Sequence, residues 1–252
     1  MPILYLRQLT ASERSRKADR HIAGFLAFIA GAINAGGFLA FKQYTSHMTG
    51  IVSSIADNTA LGDLQSVLSG IGALLSFLAG AACSAILINW ARRQKLRSKY
   101  AIPLMIEAVL LLIFGLLGGN LERERWLFVP VTVSLLCFVM GLQNAMITKL
   151  TRAEIRTTHI TGMVTDIGIE LGKLFYWNAS KHSRVEPLVG AERAKLRLLV
   201  TLTSLFLVGG IIGALGFKHV GFIATLPIAA LLLTLAFVPM VDDVIVRLRH
   251  GV

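Results

Sequence analysis

The chain has 252 residues, 55% of them hydrophobic and 15% charged, a balance too apolar for a water-soluble domain of this size. Its formal net charge of +11 raises the question of a polyanion partner, but the basic residues fall between apolar runs in the pattern of a membrane topology signal. The basic balance therefore needs no nucleic acid to explain it.

Residues 1–21 form a basic segment carrying Arg7, Arg14, Arg16, Lys17 and Arg20, without the apolar core or small-residue cleavage site of a signal peptide. A membrane-spanning helix needs about 20 mostly apolar residues, because each residue rises about 1.5 Å through about 30 Å of hydrocarbon. Six segments meet that requirement: 22–41, 67–89, 101–119, 127–147, 198–217 and 220–241. The expected fold is all-α and polytopic. A first three-helix unit covers 22–119, an outer loop 120–126, and a second three-helix unit 127–241, with a cytoplasmic loop at 173–197 and a tail at 242–252.

With the N-terminus inside, 21 of the 25 Lys and Arg lie on the cytoplasmic side, and only Lys42, Arg123, Arg125 and Lys218 lie outside. Both termini are therefore expected in the cytoplasm. Small residues mark helix-packing faces: Gly72, Ser76, Gly80 and Ser84 in the second span, Ala27, Gly31 and Ala35 in the first, Gly209 and Gly213 in the fifth. Such faces also suit a homodimer. Cys83 and Cys137 each lie inside an apolar run and are expected as buried, inert thiols.

An internal repeat organises the chain. Residues 45–53 read TSHMTGIVS and residues 157–165 read TTHITGMVT, with Gly31 and Asn34 upstream of the first matched by Gly141 and Asn144 upstream of the second. Each motif follows the first span of its half. Three spans per half is an odd number, so the halves are expected to insert in opposite directions, as a 3+3 inverted-topology repeat. Residues 47–61 and 159–172 are too short and polar to span. They are expected as broken or re-entrant half-helices, with a surface-lying helix as the alternative.

Ser46 or Thr45, and Thr158 or Thr157, are expected N-caps of those half-helices. A half-helix that starts inside the protein presents free amides and the positive end of its dipole, which favours an anion or a polar group. His47, Thr49, His159 and Thr161 add donors there, while Gly50 and Gly162 allow close approach. With Asn34 and Asn144 these residues form the expected solute site. Glu107, Asp57 and Asp166 are the candidate proton-titrating groups. No catalytic constellation, phosphate-binding glycine loop or dinucleotide fingerprint is present, so neither an enzyme nor a cofactor or metal is expected.

At SHMTG (46–50), GLQNA (141–145) and THITG (158–162) the chain resembles the YoaK family of bacterial membrane proteins, a family without a settled function. The resemblance extends over nearly the whole chain and implies a multi-pass protein of the bacterial inner membrane. Asn34 stands where many relatives carry Asp, and Ile51 where many carry Asn. The expected function is a secondary transporter or facilitator of a small polar or anionic solute, with a membrane-embedded assembly or regulatory subunit as the alternative.

Overall fold

The computed structural model describes residues 16–41, 43–96, 98–118, 125–151, 157–176 and 189–250. The basic segment before residue 16, loop residues 119–124, the middle of the expected cytoplasmic loop at 177–188, and residues 42, 97, 152–156 and 251–252 lie outside the described residues.

Among the described residues all regular structure is helical. Helix α1 (Arg16–Phe41) precedes the first motif and α2 (Met48–Leu61) follows it. Gly62, at φ 74°, ends α2 in the left-handed conformation that glycine adopts without strain. Asp63 then caps α3 (Leu64–Arg93), accepting from Ser66 N at 3.1 Å and from Ser66 Oγ at 2.7 Å. The Ser66 hydroxyl and amide hold that carboxyl below its ordinary range. Next come α4 (Ala101–Gly118), α5 (Arg125–Leu150), α6 (Ile160–Phe175) after the second motif, and α7 (Arg193–Val220).

The last helix, α8 (Thr225–His250), starts later than the expected boundary at residue 220. Gly221, at φ 65°, breaks the chain away from α7, and a 3-10 turn (Gly221–Ala224) intervenes. Among the described residues, four segments are long and apolar enough to cross a membrane: Lys17–Leu39, Leu64–Arg93, Pro130–Leu150 and Arg193–Asp243. The last runs through α7 and most of α8, and the apolar part of α4, Ala101–Leu116, is shorter.

Helices pair across the two halves. In α1 and α7, a Cβ at Gly31 would strike the carbonyl oxygen of Phe206, and one at Gly209 would strike that of Phe28. In α3 and α5, Gly80 meets the carbonyl of Phe138 and Gly141 that of Phe77 in the same way. Contacts further along rise in number together, Gly24 with Leu205 and Gly36 with Phe217 in the first pair, Ala73 beside Val133 and Asn89 bonded by Lys149 in the second, so both pairs run parallel. Such backbone-to-backbone approach is available only where no side chain intervenes. Helix α4 packs on α8 and the preceding turn, with the Phe114 ring edge-on to Phe222 at 5.3 Å. Helices α2 and α6 lean on α3 and α7 respectively.

The outer faces of α3 and α7 are apolar. Leu78 is 55% exposed, Leu207 62% and Leu215 51%, whereas Ile22, Leu26, Ile29, Leu104 and Leu136 are almost wholly enclosed. Large side chains facing outward along helices of this length fit a lipid surround and not water. Both cysteines are free thiols. Cys137 is buried beside Ile51, Ala73 and Val133, and Cys83 is half-buried.

Candidate functional site

Each motif is tied to the helix that precedes it by an asparagine. Asn34 Oδ1 accepts from Thr45 N and Ser46 N at 3.1 Å and from Ser46 Oγ at 3.0 Å. Asn144 Oδ1 accepts a short hydrogen bond from Thr158 Oγ1, while its Nδ2 donates to the Met140 carbonyl at 2.9 Å. The chain beyond α1 therefore folds back to the depth of Asn34 before α2 begins.

These bonds change the expected caps. Ser46 and Thr158 spend their hydroxyls on the asparagines, so the N-cap positions fall one residue later, at His47 and His159, and neither helix start has a side-chain cap. The two histidines adopt nearly the same backbone, at φ −95°, ψ 69° and φ −82°, ψ 60°. Thr45 and Thr157, one residue before Ser46 and Thr158, are both fully buried with hydroxyls unpartnered among the described residues. The starts of α2 and α6 thus match in backbone, burial and anchoring.

The two motifs meet. A cavity of about 590 Å³ is lined by Ser46, His47, Met48 and Thr49 from the first and by Thr158, His159, Ile160, Thr161 and Gly162 from the second. Asn34, Tyr44, Phe77 and Phe206 complete its wall. Phe77 and Phe206 lie near the midpoints of α3 and α7, so the cavity sits deep between the helix pairs. It offers imidazoles, hydroxyls and uncapped helix starts, and among the described residues no carboxylate lines it.

The other expected residues lie elsewhere. Gly50 lines an adjoining groove and is crossed by the His47 ring, which a Cβ at that position would hit. Asn144 anchors its motif from behind. Asp57 is exposed on α2, and Asp166 lies 3.5 Å from Lys195 Nζ on α7. Glu107 is fully enclosed in α4, with both oxygens unpartnered among the described residues, and lines none of these spaces. Gln143 on α5 is also fully buried with an unpartnered Oε1. Glu170, near the end of α6, accepts from Lys173 Nζ at 2.9 Å and from the Glu192 amide at 2.7 Å; these bonds hold its carboxyl below the ordinary range.

The family described as protein of unknown function, DUF1275, matches residues 22–238, which includes both motifs and both asparagines. The chain belongs to the DUF1275 family. It is similar to UPF0700 transmembrane protein YoaK of Bacillus subtilis (strain 168), with 26% identity over 164 residues that cover 64% of this chain and 71% of that protein. No solved structure matches it. Together with the long apolar helices, these findings make this DUF1275 chain a membrane protein.

Sequence reasoning missed the aromatic wall of the DUF1275 cavity. Phe77 opens Phe-Leu-Ala-Gly at 77–80 and Phe206 opens Phe-Leu-Val-Gly at 206–209, each placing its glycine on a carbonyl of the partner helix. That short repeat was the available signal. In apolar helices, however, four such residues resemble ordinary packing.

Proposed function

We propose that this DUF1275 chain is a secondary transporter or facilitator that moves a small polar or anionic solute across the bacterial inner membrane. The observation that carries the reading is one cavity lined by His47 and Thr49 from one half and by His159 and Thr161 from the other. In this reading α1, α3, α4, α5, α7 and α8 cross the bilayer, and α2 and α6 are re-entrant half-helices. The matched pairing of α1 with α7 and α3 with α5 supports two halves of opposite orientation. The basic residues then place both termini in the cytoplasm.

Donor groups and helix starts without a carboxylate favour a solute that accepts hydrogen bonds. The two phenylalanine rings limit its size. A route is suggested by His47, which also borders a groove of about 460 Å³ lined by Ser54, Asn58, Ser66 and Ser69, leading outward along α2 and α3. Counting from His159 and Gly209, the matching positions in the second half are Asp166, Glu170, Lys195 and Leu198. There Lys195 pairs with Asp166 across α6 and α7. A hydroxyl-lined opening on one side and an ion pair on the other support a state open to the outside.

Proteoliposomes holding the full chain, assayed with radiolabelled small carboxylates, inorganic anions and polyols, are expected to take up at least one of them. His47→Ala and His159→Ala should each reduce that uptake about tenfold or more, the effect of losing one well-placed contact. If nothing enters, and both variants leave solute binding unchanged, the proposal fails.

A second reading, a membrane-embedded assembly or regulatory subunit, is favoured by the bonds from the motifs to Asn34 and Asn144, which serve structure before ligand. A partner that co-purifies from native membrane, with a cavity that binds no solute, would decide for it.

A further inference from the structure

A second cavity, of about 630 Å³, lies between the starts of α1 and α7 and reaches α8. Its rim carries Arg20, His21 and Arg197, and its walls include Phe25, Leu205 and Leu231. Neither arginine is ion-paired among the described residues. Among the described residues no carboxylate lines the cavity, and Asp243 is engaged elsewhere, accepting from Ser98 N and Oγ at 2.8 and 2.5 Å. Both helices begin here, at Arg16 and Arg193, so their first amides add positive potential.

The other half of the chain acts as an internal control. Counting from Gly31 and Gly141, the partner of Arg20 is Pro130; counting from Gly209 and Gly80, the partner of Arg197 is Leu68. Packing of the helix pair therefore requires no charge at either position. A greasy cleft with two guanidinium groups at its mouth matches a molecule with an anionic head and an apolar tail. We infer that this cleft binds an anionic phospholipid, with the phosphodiester between Arg20 and Arg197 and an acyl chain along Phe25, Leu205 and Leu231. The site is independent of the transport reading. Only its assignment to the cytoplasmic leaflet rests on the positive-inside orientation.

The test is native mass spectrometry of the detergent-purified full chain, with phosphatidylglycerol and phosphatidylcholine of the same acyl chains. The wild type should retain phosphatidylglycerol about tenfold more strongly, as expected for two basic side chains on one headgroup. The double variant Arg20→Gln/Arg197→Gln should lose the preference. Thr201→Trp, which fills the cleft from α7 and leaves both charges in place, should release both lipids, and it carries the test alone if the double variant does not fold. Equal retention of the two lipids by the wild type would overturn the proposal, as would a preference that survives in either variant. Displacement of phosphatidylglycerol by millimolar inorganic phosphate would overturn it too, marking the site as one for a soluble anion.

Discussion

Asn34 holds Ser46 twice through a single atom, its Oδ1 accepting from Ser46 N at 3.1 Å and from Ser46 Oγ at 3.0 Å. A third bond, from Thr45 N, completes the anchor. Every one of these uses Asn34 as an acceptor.

Asn34→Leu removes all three bonds and leaves the Thr45 and Ser46 amides without their acceptor. It is expected to lower stability by about 2–3 kcal/mol, at about 1 kcal/mol for each bond lost. Asn34→Asp keeps the acceptor and should remain within about 1 kcal/mol of wild type, since the bonds persist. Thermal unfolding in detergent measures both, and equal losses in the two variants would contradict this role.

The glycines at the helix crossings should differ sharply from those in open space. Alanine in a helix gains about 1 kcal/mol over glycine from propensity alone. At Gly172, where nothing lies within 4 Å, Gly172→Ala should be neutral or stabilising. At Gly31 the new carbon meets the Phe206 carbonyl, so Gly31→Ala must force α1 and α7 apart, at a cost of about 1–3 kcal/mol or more. Unfolding midpoints of the two variants, side by side, test the contrast.

The Asp166–Lys195 pair is about 40% exposed at each partner, at 43% and 41%, and should contribute little to stability. Lys195→Gln is expected to change unfolding by less than about 1 kcal/mol. Its effect should appear as access. In a chain freed of Cys83 and Cys137, a cysteine introduced at Thr161 should react faster with a maleimide applied from the side on which Lys195 lies once Lys195 is Gln. Unchanged labelling would remove the pair as an inner closure.

Glu170 gives a pH dependence with a defined sign. Lys173 and the Glu192 amide lower its folded-state pKa, so its contribution is complete above the unfolded carboxyl value, about 4.3, and is lost as pH falls through the folded value. Protection against hydrogen exchange at the junction of α6 and α7 should fall in the wild type as pH drops through the lowered folded value. In Glu170→Gln that acid-dependent part should be absent.

Glu107 has no partner for either oxygen among the described residues and sits in an apolar enclosure with Leu104 and Leu111 on its own helix. Glu107→Leu keeps a similar volume and removes the unsatisfied group, so stability should rise by about 1–3 kcal/mol. Measuring solute uptake on the same variant separates packing from function: a stabler protein that no longer transports would identify Glu107 as a working group.

Much of this arrangement was legible from residue order. The long apolar runs located α1, α3, α5 and α7, and the paired Thr-His-Thr-Gly segments located the starts of α2 and α6. The caps were not legible, because Ser46 and Thr158 compete between their own helix starts and Asn34 and Asn144, and only the folded chain shows that the asparagines win. The start of α8 depended on Gly221 adopting a left-handed φ, which glycine permits without requiring. Phe77 and Phe206 were hidden because an aromatic residue in a lipid-facing helix has the same composition whether it lines a cavity or touches lipid.

The crossed glycines also constrain how such a chain is made. Gly31 waits for Phe206, and Gly80 for Phe138, so the first half leaves the ribosome with its closest-packing surfaces uncovered until the second half arrives. A half expressed alone has no internal partner for those ridges. Closing them takes the helices of the other half, so neither half reaches its packed state before the whole chain is made.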